Sequence, residues 1–132
     1  MFRSESGFTL IELLVVMLLM AMSLSIIVPL TVEQVDSARA RAERQKVIIA
    51  LDRLKATAFF TSSSQTMLFE GKEVKQQSTD NILILNYIAF EPATLKIHSD
   101  GWIDNTYITA YINEKKWFLQ LQNETAEWVN AD

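Results

Sequence analysis

Few side chains of this chain have the types and spacing that catalysis or metal binding needs. The single histidine, His98, stands beside a turn without an evident nucleophile or acid as partner, so we interpret it as structural or exposed. Residues Ser62 to Ser64 have the composition of a loop rather than of activated nucleophiles. One histidine and no cysteine leave few ways to build a transition-metal site. The sequence therefore predicts no catalytic residues and no enzyme.

Calcium is the one metal whose ligands the sequence offers in a cluster. Asp100, Asp104 and Asn105 carry the oxygen atoms that calcium prefers. Their Asp-Gly-x-x-Asp spacing does not match an EF-hand loop, in which ligands alternate along twelve residues. We therefore predict neither a metal nor a cofactor.

The most unusual chemical group is a carboxylate inside an apolar run. Glu12 lies within the nearly unbroken hydrophobic segment Phe8–Leu30. An ionised side chain in hydrocarbon costs about 2.5–3.5 kcal/mol or more. One interpretation is that Glu12 lies near the membrane interface and extends towards water. The other is that it meets a cation, and cleavage after Gly7 would create one, the free α-amino group of Phe8.

The apolar run has the length of a membrane span. Residues 8–30 as a helix would be about 34 Å long, enough to cross a hydrocarbon core of about 30 Å. A secretory signal peptide places a small-residue cleavage site after its apolar run, whereas here the small residue, Gly7, comes before it. Cleavage at Gly7 would leave the hydrophobic helix on the mature protein.

The segment Gly7-Phe-Thr-Leu-Ile-Glu12, followed by this apolar stretch, resembles the signature of type IV pilins and type II secretion pseudopilins. The resemblance implies that residues 1–7 are a leader, that a prepilin peptidase cuts after Gly7, and that Phe8 is then N-methylated. It also implies that Glu12 neutralises the amino terminus of a neighbouring subunit during assembly. A methylated amine remains basic, so Glu12 would still face a cation.

The function implied by this resemblance is structural. We expect a minor pseudopilin of a type II secretion pseudopilus, with a minor pilin of a type IV pilus or of a DNA-uptake (competence) system as the alternative. A non-polymerising, membrane-anchored binding module is the alternative of another class. The implied partners are the other pilins or pseudopilins of the filament, the prepilin peptidase, the inner-membrane assembly platform and inner-membrane lipid.

Charge gives the expected orientation and excludes one class of partner. Arg3 precedes the span, while Glu33 and Asp36 are the nearest charges after it. This favours a single-pass protein of the bacterial inner membrane with a cytoplasmic leader and a periplasmic C-terminal domain. The formal net charge of -4 does not indicate nucleic-acid binding, because that requires a basic face.

Pro29 interrupts the backbone hydrogen bonding of the predicted span. It removes a donor and clashes with the carbonyl group of Ser25, so we predict a helix kink there. One interpretation is a tolerated transmembrane proline, and the other is a flexible point that lets the helix repack in a filament. The sequence leaves both open.

Residues 31–60 are predicted to continue the helix with two apolar stripes. The stripe that we expect to face neighbouring subunits consists of Val35, Ala38, Ala42 and Ile49. The stripe that we expect to pack on this chain's own sheet consists of Val47, Leu51, Leu54 and Ala58. The alternative is that Ala38 and Ala42 are only helix-favouring surface residues. The assignment predicts that Leu51 and Leu54 are buried and that Val35 is exposed.

Residues 61–132 are predicted to form a small antiparallel sheet, which gives an α+β, pilin-like fold. The predicted strands are 66–70, 73–75, 82–90 (ended by Pro92), 94–98, 106–112, 117–122 and 127–129, with a four-residue loop at 113–116.

This C-terminal region also resembles the minor pseudopilin H subgroup. The resemblance is carried by the helix ending Leu51-x-x-Leu-Lys-Ala-x-Ala58, the two late strands and the Glu124-x-x-Glu-Trp-Val129 finish. That subgroup's late glycine is missing, because Thr125-Ala-Glu127 stands in its place. The absence of cysteine argues against a pilin built on a disulfide-closed loop.

Overall fold

A computed structural model of the chain describes residues 7–122 and 125–131, apart from the side chain of Leu30. The predicted leader therefore lies outside the described residues except for Gly7, as does Glu124 of the C-terminal finish. The chain divides into two compact units, one up to Ser37 and one from Ala38 onwards.

A single helix, α1, runs over Leu10–Thr61. No glycine interrupts these residues, and Pro29 lies inside the helix. The helix ends where Ser62 adopts a left-handed conformation with φ of 49°. Ser63 then donates its N–H to the Ala58 carbonyl at 3.2 Å, which satisfies one of the last helical acceptors.

One stripe of α1 contributes to the core of the second unit. Leu51 and Leu54 are at most 1% exposed, whereas Val35 is 47% exposed, so the predicted distribution of burial is confirmed. The same buried cluster contains side chains from the strands, chiefly Phe69, Leu95, Ile97, Ile108 and Leu119. Burying such aliphatic and aromatic side chains stabilises a fold by about 1.5–3 kcal/mol each.

Seven strands form one antiparallel sheet in the order β3-β2-β1-β4-β5-β6-β7. The strands are β1 Gln65–Gly71, β2 Glu73–Gln76, β3 Ile82–Ile84, β4 Ile88–Ile97, β5 Tyr107–Ile112, β6 Lys115–Leu121 and β7 Ala126–Asn130. A long helix followed by an antiparallel sheet confirms the predicted α+β, pilin-like architecture.

The predicted strand over residues 82–90 is wrong. The run breaks after Ile84, and β4 then begins at Ile88 and continues through Pro92 to Ile97, so the two strands predicted at 82–90 and 94–98 are rearranged. Pro92 is tolerated because pairing with β5 stops at Phe90 and the register with β1 shifts at the same place. A residue that cannot donate to the ladder fits such an irregularity.

The predicted four-residue loop at 113–116 is also wrong. Only Asn113 and Glu114 connect β5 to β6, and Ile112 pairs directly with Lys115. Both connecting residues have positive φ, 49° and 65°, as the type I′ hairpin turn requires. The turn is difficult to predict from the sequence Asn-Glu, because glutamate rarely adopts a left-handed conformation.

Candidate processing and assembly site

The carboxylate predicted to pair in the filament lies in the first turn of α1. Thr9 caps the helix: its Oγ1 accepts the N–H of Glu12 at 3.3 Å, and its carbonyl accepts the N–H of Leu13 at 3.2 Å. Thr9 and Glu12 thus have the spacing of a capping box, which the sequence analysis overlooked. An acidic group in this turn also complements the positive end of the helix dipole.

The residues on either side of the predicted cleavage site are open to solvent. Phe8 is 77% exposed, and Gly7 lies outside the helix. A Cβ atom added to Gly7 would meet nothing within 4 Å. Among the described residues there is therefore space for a side chain at this position.

The apolar segment that follows is exposed along its length. Among the described residues, α1 is the one helix long and apolar enough to cross a membrane, and none of its apolar window is buried by the rest of the protein. Leu10, Ile11 and Met17, for example, are 78%, 70% and 62% exposed. Such a surface is stable only in lipid or against other apolar helices.

The helix remains continuous at Pro29. Just beyond it, the Thr31 hydroxyl donates to the carbonyl of Val28 at 2.8 Å and lies 3.3 Å from that of Ile27. Back-bonding of this kind supplies local polar partners near a proline and frequently bends helices. The kink itself stays a prediction.

The side chains predicted to contact other subunits are on the surface. Val35, Ala38 and Ala42 are all exposed, and Ile49 of the same stripe is 42% exposed. The stripe is available for an external partner, and its role in subunit contact stays a prediction.

A second glutamate of α1, not singled out from the sequence, is buried. Glu43 is 7% exposed, and its two carboxylate oxygens accept the backbone N–H groups of Asn86 at 2.7 Å and Tyr87 at 2.8 Å. These bonds hold the chain between β3 and β4 against the helix, which is why the run of residues 82–90 is broken. Its position between Ala40 and Val47, at the spacing of the buried stripe, was the available signal.

His98 has two polar neighbours that the sequence did not reveal, although its interpretation as a structural or exposed residue is not contradicted. Its Nε2 lies 3.0 Å from an Asp104 carboxylate oxygen, and its Nδ1 lies 3.5 Å from the Ser64 hydroxyl. A serine–histidine–acid set suggests acyl transfer, but that chemistry needs a close serine–histidine hydrogen bond and aligned oxyanion donors. The 3.5 Å contact on an exposed surface instead connects the start of β1 to the turn after β4.

The oxygen ligands considered for calcium are engaged separately. Asp100 accepts the N–H of Trp102 at 3.0 Å, and the Asn105 side chain donates to the Thr94 carbonyl at 2.7 Å. Within residues 7–122 and 125–131, no three histidine, cysteine or acidic side chains come together as metal ligands. The geometry assigns these groups to turn structure.

The N-terminal segment is similar to a known family motif. Residues 2–28 match the prokaryotic N-terminal methylation motif. No curated protein and no solved structure matches the chain significantly. The motif indicates a pilin-type structural subunit and suggests that its apolar N-terminal helix anchors the chain in the membrane. The chain therefore carries a prepilin-like N-terminus that supports membership of the type IV pilin and pseudopilin family.

Proposed function

We propose that this chain is a minor pseudopilin of a type II secretion pseudopilus, related to the H subgroup. In this proposal a prepilin peptidase removes residues 1–7, Phe8 is N-methylated, and the subunit leaves the inner membrane to enter a filament helix to helix. The C-terminal unit from Ala38 lies in the periplasm. The absence of cysteine and the small antiparallel domain support a secretion role over a disulfide-closed pilin.

The observation that carries the proposal is the state of the first unit. It presents an uninterrupted apolar helix, a glycine whose Cβ position is open among the described residues, and an acidic side chain in the first turn. The apolar helix is not buried by the rest of the described chain. In a protein that is cleaved at Gly7 and then packed against copies of the same motif, the helix, the glycine and the carboxylate each have a role.

The physical basis of assembly is the pairing of two poorly solvated charges. Cleavage puts the α-amino group of Phe8 beside the positive end of the helix dipole, where a cation is disfavoured. The Glu12 carboxylate is likewise expensive in hydrocarbon while it lacks a cation. Docking one subunit's Glu12 against another's Phe8 amine relieves both penalties and fixes the axial register of the two helices.

The first experiment is mass spectrometry of the mature amino terminus in the native cells. A mature chain that begins with N-methylated Phe8 is expected. A protein that retains Met1 would instead be a non-polymerising membrane-anchored module.

The second experiment replaces the Glu12 side chain. Glu12→Gln and Glu12→Leu are expected to leave cleavage intact and to remove the subunit from filaments. The bond to Thr9 uses the backbone of Glu12 and survives both changes. Thr9→Ala is the matched control, because it removes the cap at about 1 kcal/mol and keeps the charge pair. Normal filament levels with Glu12→Leu contradict the proposed pairing.

A third experiment separates secretion from pilus or competence use. Deletion of the gene is expected to abolish secretion of exported enzymes while surface pili and DNA uptake remain. The reverse result assigns the chain to a type IV pilus or a DNA-uptake system and refutes the secretion role.

A further inference from the structure

A groove lies on the face of the sheet that is turned away from the core of the second unit. Side chains alternate along β5 and β6: Ile108 and Leu119 belong to the core, so Tyr107, Thr109 and Phe118 lie on the opposite face. The groove on that face has a volume of about 1110 Å³, and a smaller one of about 350 Å³ adjoins it and shares Tyr107 and Thr109. Together they form an elongated site with more room than the roughly 300–1,000 Å³ typical of small-molecule pockets.

One buried hydroxyl group in this groove lacks a hydrogen-bond partner. Thr109 is only 9% exposed, yet its hydroxyl makes no hydrogen bond to any residue within 7–122 and 125–131. Buried polar side chains in folded proteins nearly always have a partner. Because Thr109 lines the groove, a polar ligand bound there would supply the missing partner.

The other polar groups around Thr109 are mostly neutral. Thr106, Gln120, Gln122 and Thr125 line the groove and are exposed, and their side chains form no hydrogen bond with another described residue. Hydroxyl and amide groups both donate and accept hydrogen bonds. They therefore match a ligand whose own groups do both, as the hydroxyl groups of a sugar do.

The charges of the groove argue against an anionic ligand. Among the described lining residues, Lys116 and Glu91 carry one charge each, and these charges cancel. The Lys116 Nζ lies 5.5 Å from the centre of the Phe118 ring, and Glu91 accepts the Tyr111 hydroxyl at 2.7 Å. Nucleic acids and phosphate groups are bound by clusters of cations, so a groove without net charge fits a neutral ligand better.

The groove also has an accessible aromatic ring. Tyr107 is 60% exposed, and its ring meets that of Phe118 edge to face, with 5.8 Å between the two centroids. Phe118 is half-buried and has Lys116 over its ring, so Tyr107 offers the more accessible face. The face of an aromatic ring is electron-rich and packs well against polarised C–H groups, such as those on one side of a pyranose ring.

We propose that this groove binds a neutral oligosaccharide of pyranose rings, an inference that goes beyond the proposed function and does not depend on it. The C–H side of one sugar ring packs on Tyr107, and the Thr109 hydroxyl bonds to a sugar hydroxyl. The neutral side chains around them bond to the neighbouring rings. A proline-rich peptide, a common occupant of aromatic grooves, fits less well, because its proline residues offer carbonyl acceptors and no N–H donors.

Titration of the full chain with defined sugars tests the proposal. The protein is kept in a zwitterionic detergent without a sugar headgroup, and cellotetraose and chitotetraose are added separately, followed by calorimetry and by the amide chemical shifts of Thr109 and Phe118. At least one sugar is expected to bind saturably, with a dissociation constant below about 5 mM, and to shift both amides. Failure of both sugars to saturate by about 5 mM overturns the proposal.

Two groove variants and two matched controls locate the site. Tyr107→Ala should raise the dissociation constant at least about fivefold, and Thr109→Val, which keeps the side-chain shape, about threefold. The controls are Phe60→Ala, an 83% exposed aromatic residue at the end of α1, and Thr66→Val on β1, and both should stay within about twofold of the wild type. Thermal unfolding checks each variant. If Thr109→Val does not fold, Tyr107→Ala decides, because Tyr107 is largely exposed.

The remaining outcomes each decide against the proposal. Binding that neither groove variant weakens means that the sugar binds elsewhere. A proline-rich peptide that displaces the sugar and binds more tightly makes the groove a peptide site. A sulfated tetrasaccharide that binds more tightly than its neutral counterpart overturns the neutral class. None of these results affects the processing of Phe8, whereas retention of Met1 overturns the proposed function and leaves sugar binding by the groove intact.

Discussion

Apolar and charged groups need partners in both units of this chain. The two units differ in whether those partners belong to the chain itself. In the second unit the large apolar side chains are inside, and Leu51, Phe69 and Leu95 are at most 1% exposed. In the first unit, residues such as Leu10 and Leu18 are 78% and 61% exposed. The chain's own fold explains why the second unit contains large apolar residues. Lipid or other apolar helices around the chain explain those of the first unit.

Two glutamates of α1 show the difference at single residues. Glu43 is buried, and both of its oxygens accept backbone N–H groups of the same chain. The side chain of Glu12 lies in an exposed apolar segment, where the bond that Glu12 makes to Thr9 comes from its backbone. A buried carboxylate that accepts hydrogen bonds from its own chain stabilises the fold. A carboxylate on an apolar exterior instead favours contact with a partner that supplies a cation.

The largest expected effect comes from a matched pair of glycines. Gly7→Val should block cleavage completely and leave the stability of the second unit unchanged, because the added side chain meets nothing in the fold. Gly101→Val should do the reverse: its φ of 87° disfavours a β-branched residue and lowers the free energy of unfolding by about 1–2 kcal/mol. Mass spectrometry of the amino terminus and thermal unfolding in detergent measure the two effects. Normal processing of Gly7→Val would break the comparison.

A second prediction compares leucines of the two units. Leu51→Ala should lower the free energy of unfolding by about 2–5 kcal/mol, because it removes a fully buried side chain and leaves a cavity. Leu18→Ala, in the exposed segment, should leave that free energy unchanged within about 0.5 kcal/mol. Chemical denaturation followed by circular dichroism of the full chain in micelles gives both values. Equal losses would mean that the second unit does not fold independently of the apolar segment.

The third prediction concerns Glu43. Glu43→Ala should destabilise the second unit by about 2–4 kcal/mol, since two buried N–H groups lose charged acceptors. Glu43→Gln keeps one carbonyl acceptor and should lose less than the alanine variant. Hydrogen exchange at the amides of Asn86 and Tyr87 reports the site directly, and unchanged protection in Glu43→Ala would exclude the role given to this carboxylate.

The sequence was informative where short-range patterns decide the structure. The apolar stripe of Leu51 and Leu54, the hairpin at Gly71 and the late strands follow from periodicity and turn chemistry, which act over a few residues. The motif around Gly7 could be recognised because residues 2–28 match a known N-terminal methylation motif.

The wrong loop at 113–116 has a local cause, the left-handed Asn113-Glu114 turn, but the broken strand at 82–90 results from contact between distant parts of the chain. The composition of residues 82–90 favours a strand, but Glu43 accepts the Asn86 and Tyr87 amides from 43 and 44 residues away. His98 gained Ser64 as a neighbour through the pairing of β1 with β4, a pairing that crosses two intervening strands, whereas Asp104 reaches His98 across the turn that follows β4. Composition and periodicity contain no information about such contacts.

The smallest expected effect is a pH dependence confined to the second unit. The Tyr111 hydroxyl donates to Glu91 at 2.7 Å, and this hydrogen bond, followed by partial burial and the charge of Glu91, raises the pKa of Tyr111 above its usual value of about 10. A raised pKa means that the folded state holds the proton more tightly than the unfolded state. The resulting stability is fully present below the unfolded-state pKa and is lost as the pH rises through the folded-state value.

Thermal unfolding measured from about pH 9 to pH 12 tests this sign. The midpoint of the wild-type chain should fall more steeply with pH than that of Tyr111→Phe, and Glu91→Gln should flatten the curve in the same way. A Tyr111→Phe curve as steep as that of the wild type would exclude the link. Because Tyr111 and Glu91 are both within the second unit, removal of the Glu12 carboxylate should leave this dependence unchanged, whereas its own effect is expected only in assembly.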